Sequence, residues 1–233
     1  GLGDVYKRQI LVIMIIINIG SPKTMTTELR IHIDKYTNIN VLNTQEISFE
    51  QALNLNYKEL DKNKIYYYKN PNFIRRLDVL EKLIQIINDS NHKLFFIFGV
   101  RNIIDNIYSL FYHFRDWENG KEMIKDKLYT SEIVYTRHLS TFYNDIKKHI
   151  DFLKKYNTIV YNINNCNFKL NEFMKKIFNL MDIEVKISEE LPDIDIKITT
   201  KEDIDNLKIN IKKYEEIKND FDKYFKDIDI IKL

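Results

Sequence analysis

Cysteine occurs once in the 233 residues, as Cys166, so the chain closes no internal disulfide and calls for no oxidising compartment. A large excess of charge is also missing. Lysine and arginine number 36 against 34 acidic residues, a net charge of +2, with no dense basic stripe. That balance argues against a nucleic-acid binder, which neutralises phosphates with clustered cations. The longest apolar run, Ile10 to Ile19, is interrupted only by Asn18 and falls short of the about 20 residues needed to span a bilayer. A secretory signal is a rival for that run, because Lys7 and Arg8 precede it. No small-residue cleavage site follows, so it reads as a buried parallel strand of a soluble, cytoplasmic protein with no transmembrane segment. The five histidines have no metal-ligand spacing, and no metal is expected. No internal repeat is visible.

Hydrophobic residues make up 44% of the chain, enough for one proper core. The first nine residues, "GLGDVYKRQ", fit no fold pattern and resemble a translated adaptor scar of assembled metagenomic sequences. Residues 10–233 then read as a single domain with a C-terminal helical extension. "KIYYYKNPNF" (64–73) is strand-like up to Pro71, and "KLFFIFGV" (93–100) and "NTIVYNI" (157–163) are two further strands. Helical spacing follows Met25, Leu29, Ile33 and Tyr36; it covers 74–88, the stretch after Arg101, one helix over about 131–155, and the run from Leu170 to Met181. A charged helix is expected over about 201–226, and 39–63 reads as irregular. Alternation of strands and helices predicts an α/β, three-layer fold of the P-loop-like kind, with a mostly parallel sheet flanked by helices.

Glycines are few, only five, and one of them opens a notable turn. In "IINIGSPKTMTTELRIHID" (16–34) an apolar run ends at Gly20, and Ser21, Pro22, Lys23, Thr24, Met25, Thr26 and Thr27 follow. A strand, a turn rich in small donors and a helix N-terminus together favour an anion, because free N–H groups and the helix dipole meet there. A Walker A loop would place a second glycine directly before the lysine; Pro22 stands there instead.

"GSPKTMTTEL" resembles the 5′-phosphosulfate loop, P-K-[ST]-G-T-T, of sulfotransferases that use 3′-phosphoadenosine 5′-phosphosulfate (PAPS). Met25 occupies the glycine position of that pattern. A second signature of the family is a strand ending in arginine, with a serine eight residues later. "LFFIFGVRNIIDNIYSLFYHF" (94–114) has Arg101 and Ser109 at that spacing, with Ile103 where relatives often have proline. The resemblance covers roughly residues 10–182. It implies PAPS as co-substrate without a metal, Lys23 stabilising charge on the leaving phosphate, and Thr24, Thr26 and Thr27 holding the 5′-phosphate. Arg101 and Ser109 are implied to bind the 3′-phosphate.

On the acceptor side, "YKNPNF" resembles the K-S-P-x-Y segment of carbohydrate sulfotransferases, and "TQEISFE" (44–50) resembles their E-x-x-F-F stretch. This implies Glu46 as general base, with Glu50 next in line and Lys69 near the substrate. The implied partners are the nucleotide and a glycan or small-molecule acceptor. No counterpart of the family's C-terminal glycine-containing loop exists after Gly120. Two alternatives stand beside this one. A nucleotide kinase of related architecture would need magnesium, and a degenerate sulfotransferase-like protein would bind without turnover.

Overall fold

The computed structural model describes residues 13–20, 24, 26–42, 48–61, 64–70, 73, 75–115, 130–163, 167–168, 170–184, 194–195, 200–206, 211–226 and 230–232. Six strands form the main sheet: β1 Met14–Gly20, β2 Ile39–Val41, β3 Ile65–Lys69, β4 Lys93–Val100, β5 Thr158–Asn162 and, last in the chain, β8 Ile230–Lys232. Their order is β2-β3-β1-β4-β5-β8, and every pairing is parallel. Strands β6 (Asn167–Phe168) and β7 (Ile194–Asp195) form a small antiparallel pair of their own.

Successive side chains of a strand point to opposite faces, so a sheet covered on both sides needs apolar residues at every position. β1 satisfies this. Ile15, Ile17 and Ile19 belong to one core cluster, and Ile16 to a second on the other face. The first cluster takes residues from α3 (Leu77–Asp89), α4 (Ile103–Arg115) and α7 (Ile146–Leu153). The second takes Leu29 and Ile33 of α1 (Thr26–Ile33), with Phe173, Met174 and Ile177 of α8 (Leu170–Leu180). The result is the expected three-layer α/β sandwich. No described helix is long and apolar enough to cross a membrane.

Three expectations change. Residues 39–63 are not irregular throughout: they hold β2, α2 (Phe49–Asn54) and a 3-10 turn at Tyr57–Glu59. Helix α2 starts with a full capping box, in which Ser48 Oγ accepts from the Gln51 N–H and Gln51 Oε1 accepts from the Ser48 N–H. The single helix read over 131–155 is broken into α5 (Ser131–Val134), a π turn (Tyr135–Leu139), α6 (Ser140–Asn144) and α7. The charged helix expected over 201–226 is described in two parts, α9 (Lys201–Asn206) and α10 (Ile211–Lys226), and β8 then adds an unexpected strand beside β5. Tyr214 and Phe221 of α10 pack on Tyr135 and Tyr143, with ring centroids 5.0 and 5.9 Å apart.

Candidate functional site

β1 lies between β3 and β4. The chain leaving β1 passes to the β2 edge, whereas the chain leaving β4 passes toward β5. Where connections diverge in this way, a crevice opens outside the carboxyl ends of the strands, and ligands bind there. Residues at those ends are therefore the candidates: Gly20 after β1, Lys69 and Asn70 at β3, Gly99 to Arg101 at β4.

Gly20 pairs with Gly99 across the sheet. Its φ is +145°, and a Cβ there would lie 2.7 Å from the Gly99 nitrogen and nearer still to its oxygen. Only glycine fits this position, because its φ is positive and the Gly99 backbone fills the place of a Cβ. Gly99 is equally constrained, by packing instead of φ. A Cβ on it would meet the Tyr161 hydroxyl at 2.5 Å and Thr24 Oγ1 at 2.6 Å. Through that gap the Tyr161 hydroxyl donates to the Thr24 carbonyl at 2.5 Å. Two glycines and a buried tyrosine thus fasten the turn onto β4 and β5. Burial pushes the Tyr161 hydroxyl well above its ordinary pKa, so it remains a donor.

Helix α1 begins at Thr26, with Thr27 and Glu28 in its first turn. Lys69 Nζ donates to Thr27 Oγ1 at 2.8 Å, and Lys69 is only 7% exposed. Two residues nominated for different roles are brought together here: the end of β3 delivers an ammonium to the start of α1. The same register places Lys69 beside Asn18, whose amide donates to the Tyr67 hydroxyl at 2.8 Å.

Arg101 follows β4 directly and is 6% exposed. Burial lowers its pKa, and the neighbouring Asp105 and Tyr143 act in the opposite direction. Its backbone is fixed from two sides. Asn102 caps α4, its Oδ1 accepting from the Ile104 N–H at 2.8 Å. The Tyr143 hydroxyl donates to the Arg101 carbonyl at 2.6 Å and accepts from Asn106 Nδ2 at 3.1 Å. Ser109 lies partly buried on α4, roughly 9 Å along the helix axis from Ile103 at 1.5 Å per residue.

Of the residues nominated for the acceptor, Glu50 is exposed on the first turn of α2. Its neighbour Phe49 packs on Phe73 with centroids 5.1 Å apart, so "TQEISFE" and "YKNPNF" adjoin. Ser21, Pro22, Lys23, Met25 and Glu46 lie outside the described residues, as does the Thr26 side chain. Among the described residues no cluster of histidine, cysteine and carboxylate could hold a metal. His32 and His149 are buried in the core.

The sequence reading passed over Gly99, Tyr161, Asn106 and Tyr143. Gly99 carried a signal, as a rare glycine inside an otherwise apolar strand, which marks close backbone or side-chain approach. The tyrosines did not stand out among 15 of their kind. A separate concavity of about 440 Å³ opens between α3 and α7. It carries Glu81, Asp145 and Asp151 against Lys147, Lys148 and Lys155, a balanced surface with no preference for either sign.

No family model matches the sequence, and no curated protein matches it. Among solved structures the chain is similar to a sulfotransferase from Alicyclobacillus acidocaldarius. That match has 10% identity over 88% of this chain and 94% of that one, with a TM-score of 0.49. The sulfotransferase domain from the curacin biosynthetic pathway matches at 13% identity over 75% of each chain, with a TM-score of 0.46. Mouse sulfotransferase SULT7A1 complexed with PAP matches at 16% identity over 93% and 86%, with a TM-score of 0.43.

Proposed function

We propose that the protein is a sulfotransferase, a single domain over residues 10–233, that moves a sulfuryl group from PAPS to a hydroxyl or amine of a glycan or other small acceptor. One observation carries the reading. Gly20 pairs with Gly99, two residues before Arg101, so the two segments nominated for phosphate start from neighbouring strand ends, which supports a shared crevice. The residues fit a nucleotide with phosphates at both ends. Gly20 lets the chain end β1 tight against the Gly99 backbone, and Arg101 offers a buried cation two residues beyond Gly99.

When bound, PAPS supplies a sulfuryl group: the acceptor oxygen bonds to sulfur while the sulfur–phosphate oxygen bond breaks and its electron pair leaves on the phosphate. The chain's residues divide the remaining work. The turn N–H groups with Thr24, Thr26 and Thr27 hold the 5′-phosphate at the α1 N-terminus. Lys23 neutralises charge growing on the departing oxygen. Lys69, fixed by Thr27, adds a second cation at the acceptor side. Arg101 and Ser109 grip the 3′-phosphate, the guanidinium as a two-pronged donor. Glu46 takes the acceptor proton, with Glu50 as the alternative base.

Calorimetric titration with 3′-phosphoadenosine 5′-phosphate (PAP), AMP and ATP–magnesium tests the reading. PAP should bind at least tenfold more tightly than AMP, since charged hydrogen bonds contribute about 1.5–3 kcal/mol each. The preference should persist in a chelator. Equal affinity for PAP and AMP, or a strict need for magnesium, overturns it.

A further inference from the structure

Segment 135–143 packs on the sheet face opposite α1, in the core cluster of Ile15, Ile17 and Ile19, and forms a wall there between residues that follow β3 and β4. Its π turn is closed by the Ser140 N–H donating to the Tyr135 carbonyl, five residues back. Within this turn the His138 carbonyl accepts from Arg75 Nη2 at 2.5 Å. Arg75 belongs to the connection between β3 and α3. At the other end of the segment, Tyr143 is bonded to the Arg101 carbonyl after β4. The wall is therefore anchored to the strand ends on both sides of β1. π turns of this kind gather at functional sites.

This wall is cationic. Arg75 is partly buried, and its guanidinium, with five N–H donors, is drawn to the wall by a single carbonyl bond. Arg137 is exposed on the same turn. Among the described residues no carboxylate pairs with either guanidinium. His138 lies between them; burial lowers its pKa first, and Arg75 and Arg137 lower it further. Both arginines act on His138 as neighbouring positive charges, and an oxyanion placed between such charges is favoured.

We propose that the acceptor carries an anionic group, a carboxylate or a sulfate, and that Arg75 and Arg137 bind it on this wall. The inference rests on the transfer reading above and names the acceptor class. Both oxyanions present the paired oxygens that a guanidinium fork matches.

The test is calorimetric titration, with and without PAP, of three disaccharide probes: cellobiose, its uronic-acid counterpart and its 6-sulfate. At least one charged probe should bind about tenfold more tightly than cellobiose. Preference for the sulfate or for the uronate identifies which oxyanion the wall takes. Arg137→Glu, a change at an exposed position, should abolish the advantage of the charged probe while PAP affinity holds. Arg137→Ala should reduce it partway. Equal binding of all three probes, absence of binding by both charged ones, or an unchanged preference in Arg137→Glu overturns the proposal. Failure of PAP itself to bind would instead strike the transfer reading, because the titrations without nucleotide report on the wall alone.

Discussion

At the scale of single residues, the two cations of the proposed nucleotide site should separate binding from chemistry. Arg101 is buried against a fixed backbone, so its contact with a phosphate forms as soon as the ligand is bound. Lys23 is assigned to charge that grows only during transfer. An interaction stronger in the transition state than in the ground state raises turnover without raising affinity. Lys23→Ala should therefore lower the rate about a hundredfold or more, with little change in PAP affinity. Arg101→Ala should mainly weaken PAP binding. Titration of PAP together with steady-state transfer assays on both variants decides this, and a reversed pattern sinks the assignment. Gly20 makes a different claim. Its φ of +145° and the overlap of any Cβ with the Gly99 backbone leave no relaxed place for alanine. Gly20→Ala should destabilise the protein by about 3 kcal/mol, read as a shift in urea midpoint. A shift below about 0.5 kcal/mol would mean that the turn relaxes freely.

At the scale of elements, the strand ends matter more than the strands. Segment 135–143 holds the β4 end through one hydroxyl: Tyr143 donates to the Arg101 carbonyl and accepts from Asn106. Tyr143→Phe keeps the ring packed on Phe221 and removes both of these buried hydrogen bonds. The expected loss is about 1–3 kcal/mol of stability, with PAP affinity falling more than AMP affinity because Arg101 loses its register. A uniform loss for both nucleotides would make Tyr143 a packing residue only. On the proposed acceptor side, Phe49 of α2 packs on Phe73, just beyond β3. Glu46→Gln should leave PAP affinity unchanged and slow transfer roughly 10²–10⁴-fold, the range for losing a general base. If transfer is normal, Glu50→Gln is the next variant to assay.

The same elements explain what the sequence made legible. β1 and β4 were readable because strands buried on both faces are apolar at every position, and Gly20 punctuates the first. β2 and β8 were not, since three residues carry no periodicity and both lie at sheet edges. The capping box at Ser48 and Gln51 was a readable helix start, hidden by the polar residues around it. Across 131–155 the apolar pattern continues unbroken through Tyr135, Leu139, Phe142, Ile146 and Ile150, all buried. The π turn inserts a backbone irregularity without disturbing that face, so no side-chain pattern could reveal it. In the site, the two motif segments were legible from residue types, whereas the bolts that fix them depend on pairs 42 and 137 residues apart in sequence.

At the scale of the whole molecule, two cores on opposite faces of one sheet make the fold depend on keeping buried polar groups neutral. His149 is the clearest case. It is 3% exposed on α7, packed on Phe142 with centroids 5.6 Å apart, and its Nδ1 has no hydrogen-bond partner among the described residues. Burial pushes its pKa down to about 4, with Asp145 acting weakly in the opposite sense and Lys148 in the same sense. The unfolded chain titrates near 6.5. Above that pH both states are neutral, and the residue contributes its full packing. As pH falls through 6.5 the unfolded state takes up a proton that the folded state refuses, so stability declines until about pH 4, where both are protonated. The depression corresponds to roughly 3 kcal/mol across that window. Urea unfolding at pH 7.5, 6, 5 and 4.5, on the parent and on His149→Gln, isolates the effect. The glutamine variant starts less stable at pH 7.5 because it loses the ring contact. Its stability should then fall less steeply, so that the gap between the two proteins narrows as pH drops. Parallel curves from pH 7.5 to 4.5 would show that His149 is protonated alike in both states, and the acid sensitivity of the fold would have to come from its carboxylates.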